Sequence, residues 1–313
     1  MSMVATRPAA VDDRPVRPRL RVGLVNNMPD AAVAATERQF RDLLHEAAPD
    51  RDVELALFQL PEVRRRPEVQ AQMAERYRTT DAIAGAELDA MVVTGAEAGA
   101  GPLKNAPYWS GFSGLVDLAL AIKLPTFWSC LAAHAAVEHL DGIVRRRLPD
   151  KYSGLYDCAP VWPSPLLDGM DAAWPVPHSR YHGVDETELA ANGYEILTRS
   201  AAVGADVFAR PGPPLFLFCQ GHPEYDANSL ALEYKRDVRA YLGGERTAPP
   251  ALPDGLPEGE MKRSLTRLAD AVANNRATDA RAQSQPGARL PRHSPEWRPY
   301  ATLLYRNWLR LAV

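Results

Sequence analysis

Phe127-Trp128-Ser129-Cys130-Leu131-Ala132-Ala133-His134 is the stretch whose reading decides the fold. Residues 124–128 read as a short buried strand, and 131–140 are Ala-rich and helical. A cysteine therefore stands at a tight strand-to-helix turn, the layout of a nucleophile elbow at the carboxyl end of a sheet. There the helix N-terminus favours a thiolate over a thiol. Backbone N–H groups just after the cysteine are placed to stabilise an oxyanion. A buried structural cysteine fits the same stretch, so the reading depends on its surroundings.

Upstream, residues 20–26 form a first strand ending in the turn signal Asn27-Met28-Pro29-Asp30. A helix over 31–46, a strand over 53–58, charged loop and helix over 62–80, and a strand over 88–93 follow. Residues 109–122 are a helix candidate. Downstream, 206–209 and 215–219 pair as a hairpin around Arg210-Pro211-Gly212-Pro213. Residues 228–241 read as a helix, with Asp226 as N-cap and Gly243 beyond its end. Residues 244–260 read as a Pro- and Gly-rich surface linker, 261–277 as a helix and 278–296 as polar loop. An amphipathic helix over 297–313 carries Leu303, Leu304, Trp308 and Leu311, for packing on its own domain or on a second copy. This alternation implies an α/β fold, a mostly parallel sheet flanked by helices. The expected organisation is a disordered tail over 1–19, then one domain over 20–313 with a Pro-rich excursion at 242–296.

Composition narrows the function. The 313 residues carry 36 Lys+Arg against 39 Asp+Glu, a net charge of −3, which argues against a nucleic-acid binder that relies on a basic field. No stretch approaches the roughly 20 apolar residues of a membrane span, and the N-terminus lacks the apolar core of a secretory signal. Cys130, Cys158 and Cys219 make no disulfide framework, which fits a reducing cytoplasm.

Two further stretches carry chemistry. Gln220-Gly221-His222-Pro223-Glu224-Tyr225-Asp226 directly follows an apolar strand. A cysteine nucleophile needs a base, and the base needs an orienting acceptor; His222 and Glu224, stiffened by Pro223, supply both. The stretch 94–101 has neither dinucleotide nor P-loop spacing, and its amides are candidates for a second oxyanion donor. His178 and His182 are four apart but lack a third ligand at metal spacing, so no metal is expected.

The order elbow-Cys then His-Pro-Glu resembles the class I glutamine amidotransferase fold. The closer resemblance is to the homoserine O-succinyltransferase family. It is carried by Asn27-Met28-Pro29, Thr36-Glu37-Arg38-Gln39-Phe40, Val93-Thr94-Gly95-Ala96 and Tyr108-Trp109. Lys151-Tyr152-Ser153-Gly154-Leu155-Tyr156, His178-Ser179-Arg180-Tyr181 and Glu233-Tyr234-Lys235-Arg236-Asp237-Val238 continue it, and Trp297-Arg298 with Asn307-Trp308-Leu309 close it. The resemblance implies an acylated Cys130, His222 as general base, Glu224 as its orienting carboxylate, and an oxyanion hole from the Ala96 and Leu131 amides. It implies that Arg236 meets the amino-acid carboxylate, that Lys151 and Ser179 face substrate, and that Gly99 leaves room for succinyl. No permanent cofactor is implied, only succinyl-CoA as co-substrate. Small-molecule substrates are then the expected partners, with neither nucleic acid nor membrane.

This chain departs from the family pattern at four places. Asp30-Ala31 stand where lysines are usual, Leu131 replaces Trp, His134 replaces Gln, and 242–296 is longer. These bear on the acceptor, so L-serine or another hydroxyl stays beside L-homoserine. A glutamine-hydrolysing subunit is the alternative of another class.

Overall fold

The strand that leads to Cys130 explains the layering. All four of its residues are buried, and successive side chains point to opposite faces. Phe127 stacks on Tyr305 at 4.5 Å, whereas Trp128 meets Phe112 at 5.7 Å and Phe216 at 5.4 Å. A strand apolar on both sides must lie inside a sheet covered on both faces.

The computed structural model describes residues 17–313, apart from Glu97, Gly99, Ala100, Asp171 and 286–294. The first half runs β1 (Arg19–Val25), α1 (Val33–Ala47), β2 (Asp52–Gln59), α2 (Pro67–Ala74), β3 (Arg78–Thr79), β4 (Ala90–Thr94) and α3 (Trp109–Ala121). The elbow elements are β5 (Thr126–Ser129) and α4 (Leu131–Asp141). Then come β6 (Arg146–Pro160), β7 (Trp174–Gly183), α5 (Glu186–Ala191), β8 (Glu195–Ile196), β9 (Thr198–Ser200), β10 (Gly204–Ala205), β11 (Val207–Arg210) and β12 (Phe216–Cys219). The chain continues through α6 (Ser229–Leu242), α7 (Glu260–Ala273), α8 (Ala277–Ser284) and α9 (Arg298–Ala312).

Among the described residues the main sheet has eight strands in the order β3-β2-β1-β4-β5-β12-β11-β8. It is parallel through β12, and β11 runs antiparallel to both of its neighbours. The expected mostly parallel α/β sheet and the 207–219 hairpin are present. One core face gathers α1 and α9, and the other gathers α3 and α4. A smaller antiparallel sheet, β10-β9-β6-β7, joins β6 and β7, read in sequence only through their motifs, to β9 and β10, which had no reading.

Register positions the site. Thr94 lies level with Ser129, and Ser129 with Cys219. Three loops therefore leave the same edge at neighbouring strands, the carboxyl edge where α/β sheets hold ligands. Asn27 braces this edge, donating to Thr94 O at 3.0 Å and accepting from Leu60 N at 3.1 Å.

Several expectations need correction. Arg19, placed in the tail, opens β1, and residues 1–16 lie outside those described. Residues 277–284, mostly read as loop, form α8. Asp226 does not cap α6: its carboxylate pairs with Arg38, and Asn228 holds the N-cap position. The segment read as a surface linker touches β6, where Leu155 N donates to Asp254 O at 2.9 Å and Asp254 N to Ser153 O at 2.8 Å. At Gly154 (φ +154°) a Cβ would fall 2.4 Å from Asp254 O, so glycine is required for this approach. α7 and α8 bury Leu265, Leu268 and Ala280 against Tyr234 and Val238 of α6.

α9 packs on its own sheet through Ala301, Leu304, Tyr305 and Trp308, one face at helical spacing. Tyr305 is the buried residue the sequence reading passed over, and Leu311 stays 46% exposed. Truncating a fully buried aromatic costs about 3–5 kcal/mol. Tyr305→Ala should therefore lose about that much in a urea titration. The Tyr305 hydroxyl has no hydrogen-bond partner among the described residues. Tyr305→Phe should accordingly stay within about 1 kcal/mol of the parent. A large loss in the Phe variant would show that the hydroxyl is engaged.

Candidate active site

Cys130 occupies the N-cap position of α4 at φ 51°, ψ −111°. A positive φ at a non-glycine residue costs about 1–3 kcal/mol and persists only where its surroundings enforce it. Here Cys130 N donates to Cys219 O at 2.7 Å, and Cys130 O accepts from Ala133 N at 3.0 Å. The turn holds the cysteine half-exposed above the sheet.

The same Cys219 contact brings in the second stretch. His222 and Glu224 are buried, and His222 Nδ1 lies 2.9 Å from Glu224 Oε1. The Cys130 side chain lies close enough to act electrostatically on the same ring. The structure thus brings Cys130, His222 and Glu224 together. Burial disfavours the charged imidazole, but Cys130 and Glu224 outweigh it and raise His222 well above its ordinary range.

The predicted oxyanion donors lie at the helix end that follows Cys130 and in the loop packed on it. Leu131, first in α4, has an N–H with no intrahelical acceptor. A Cβ on Gly95 would lie 2.4 Å from Leu131 Cβ and 2.9 Å from Ala132 N, so the loop after β4 presses directly on that helix end. Ala96 follows, buried, with its carbonyl accepting from Tyr108 Oη at 2.9 Å. Gly99 lies outside the described residues.

Two of the expected substrate residues meet at a second centre. Lys151 Nζ lies 2.8 Å from Asp237 Oδ2, and Arg236 Nη2 lies 3.0 Å from Asp237 Oδ1. Burial opposes the Asp237 carboxylate, yet Lys151 and Arg236 hold it below its ordinary range. Ser179 stands opposite Ser153 in the β6–β7 register, half-buried.

Sequence reasoning missed the residues that join these centres. Tyr225 stacks on the His222 ring at 4.2 Å and donates to Glu233 Oε1 at 2.8 Å, and Glu233 lies 4.0 Å from Lys151. The available signal was helical spacing: Glu233, Arg236 and Asp237 fall at i, i+3 and i+4 on one face of α6. Asp206, also missed, accepts from Gly221 N at 2.9 Å and lies 3.5 Å from His178 Nε2. Burial pushes the Asp206 carboxyl up. Buried Arg180 donates to Val203 O at 2.6 Å and His182 O at 2.8 Å. His134, at a departure position, bonds Gln220 Oε1 at 2.9 Å, and burial holds it at about 3. Asp30, at another, pairs with Arg65 and Arg66.

A cysteine elbow served by a His-Glu pair at the carboxyl edge of this sheet defines a protein with the class I glutamine amidotransferase fold. A solved glutamine amidotransferase from Thermotoga maritima matches 93% of this chain and 98% of its own at TM-score 0.51; at 14% identity the likeness is of fold alone. The chain belongs to the homoserine O-succinyltransferase family, whose model matches residues 2–313. A homoserine O-succinyltransferase of Methylorubrum extorquens is 48% identical, covering 95% of this chain and 88% of that protein. One of Bradyrhizobium japonicum is 44% identical, covering 97% and 94%. The protein is an acyltransferase. Among the described residues no helix is long and apolar enough to cross a membrane.

The raised His222 value fixes a sign. Its proton stabilises the fold fully below the unfolded imidazole value of 6.5, and that contribution fades as pH rises through the folded value. Removing the thiol removes the largest raising influence. In ring-nitrogen NMR, His222 of Cys130→Ala should lose its proton at lower pH than in the parent. An unchanged titration would exclude the thiol as the cause.

Proposed function

We propose that the chain transfers a succinyl group from succinyl-CoA to the hydroxyl of L-homoserine through an acyl-Cys130 intermediate, a step of methionine biosynthesis. The observation that carries this is the gathering of Cys130, His222 and Glu224 at a strained elbow, in a chain of this family. The names of the relatives supply the succinyl group and the acceptor, and coenzyme A as the carrier is part of the proposal.

The steps follow from the electrostatics. Cys130, as thiolate beside the His222 imidazolium, attacks the thioester carbonyl. The oxyanion forms against the Leu131 N–H and the loop at Ala96. Collapse expels the coenzyme A thiolate, which His222 protonates, and leaves a neutral thioester on Cys130. Acylation thereby removes the charge that raised His222 most. The now neutral imidazole takes the proton of the acceptor hydroxyl, with Glu224 holding the ring and stabilising the returning imidazolium. The alkoxide attacks, the ester leaves, and the thiolate is regenerated. Lys151 and Arg236 flank the acceptor's ionic groups, and a guanidinium meets a carboxylate bidentately. Ser179 faces the same substrates, Gly99 leaves room for succinyl, and a cytoplasmic location fits this metabolism.

Purified protein mixed with succinyl-CoA should release free thiol continuously only when L-homoserine is present. Mass spectrometry without acceptor should show one succinyl group on Cys130. Cys130→Ala should abolish transfer, and Glu224→Gln should slow it about 10²-fold or more. Near-normal turnover in Cys130→Ala would overturn the covalent route. Faster transfer to L-serine would move the acceptor, and glutamate release from glutamine would move the reaction class.

A further inference from the structure

We propose that Arg147 and Arg246, gathered on the ring of Tyr181, form a subsite for the phosphate groups of coenzyme A thioesters. The inference rests on the acyl-CoA reading above and adds where the charged end of that donor is held.

Three cations share one aromatic ring. Arg147 Cζ lies 4.8 Å from the Tyr181 centroid, Lys151 Nζ 5.6 Å and Arg246 Cζ 5.9 Å. Each is attracted by the ring quadrupole, but like charges so placed repel one another. Arg246 also donates to the Tyr181 hydroxyl. The carboxylates in contact do not balance the group. Arg147, Lys151, Arg236 and Arg246 stand against Glu233 and Asp237, so four positive charges minus two negative leave a surplus of two. Arg147 is exposed and has no carboxylate partner among the described residues. Arg246 keeps 27% of its side chain exposed beyond its contact with Asp237.

A surplus of two, held by two guanidinium forks, suits a multiply charged anion with several acceptor oxygens. A single carboxylate would need only the Lys151 and Arg236 side of the cluster.

Placement on the fold favours a donor's far end. Ser179 and Tyr181 are two apart on β7 and so share a face, while His178 and Arg180 are buried on the other. Lys151 joins the catalytic centre to this face through Glu233 and Tyr225. A ligand reacting at Cys130 and anchored at Tyr181 carries its anionic groups away from its reacting carbonyl. Coenzyme A thioesters have that form. A free phosphate or nucleotide shares the anionic chemistry but not the reactive end.

The test compares two donors on the full chain: succinyl-CoA, and succinyl-N-acetylcysteamine, which carries the same thioester without phosphates. The readout is the ratio of kcat/KM for the first over the second, with L-homoserine as acceptor. Arg147→Ala and Arg246→Ala should each lower the ratio about tenfold through KM of succinyl-CoA, roughly the loss of one charged contact. Arg147→Lys should recover part of it. Thermal melts matching the parent exclude misfolding. An unchanged ratio, or equal losses on both donors, overturns the subsite. Calorimetric titration with coenzyme A and with inorganic phosphate separates the two readings. Arginine-dependent binding of coenzyme A without transfer would keep the subsite and remove the acyl-transfer reading. Equal weakening of phosphate alone, with coenzyme A unaffected, would reduce the cluster to a free-anion site and overturn the proposal.

Discussion

The backbone of Cys130, at φ 51° and ψ −111°, is the constraint to which the surrounding structure is fitted. The conformation is unfavourable by itself. It is enforced from three sides: Cys219 O below, the α4 amide ladder ahead, and the Gly95 turn pressed on Leu131. Aromatic packing on both faces of β5 keeps those sides from yielding. Interiors packed at this density do not deform continuously, so relaxing the elbow would mean breaking the core.

The His222 loop is held by polar groups with little freedom. Asp206 grips Gly221 N, and His222 N donates to Pro177 O at 2.8 Å. Gln220 donates to Ala205 O at 2.6 Å and accepts from Val184 N at 3.2 Å. Buried polar groups satisfied in this way specify one arrangement, because each alternative leaves a donor or acceptor bare. Support reaches further: Trp297 Nε1 donates to Tyr225 O at 3.2 Å, and Tyr225 stacks on the His222 imidazole. The stretch that looked like an excursion therefore frames the site, with Arg246 in its first residues and Trp297 just beyond its last.

Most of the fold was legible because the elements around Cys130 carry strong local signals. A short apolar run ending in a cysteine and an Ala-rich helix declared β5 and α4, and the turn residues of 94–96 closed β4. The Cys130, His222 and Glu224 set was legible because two motifs meet at adjacent strand ends. What escaped was non-local. β6 is long and largely exposed, its pairing with β7 is broken by a register shift between Arg147 and Tyr152, and β7 buries polar His178 and Arg180, so neither shows a clean period. Asp237 and Glu233 read as ordinary helix charges until the fold sets Lys151 against them. Asp206 gave no sign, since one acid beside an apolar run has no pattern. The 277–284 helix was hidden by polar composition and forms because Ala280 finds a buried place beside α6 and α7.

Phe127 and its cover are far apart along the chain: Tyr305 follows it by 178 residues (305 − 127). Contacts of such separation demand closure of a very long loop before they return any stabilisation. During synthesis, the strand behind Cys130 has only α1 on that face until α9 has emerged. The Cys130 elbow is therefore completed late, and until then β5 offers a half-covered apolar face rather than a finished turn.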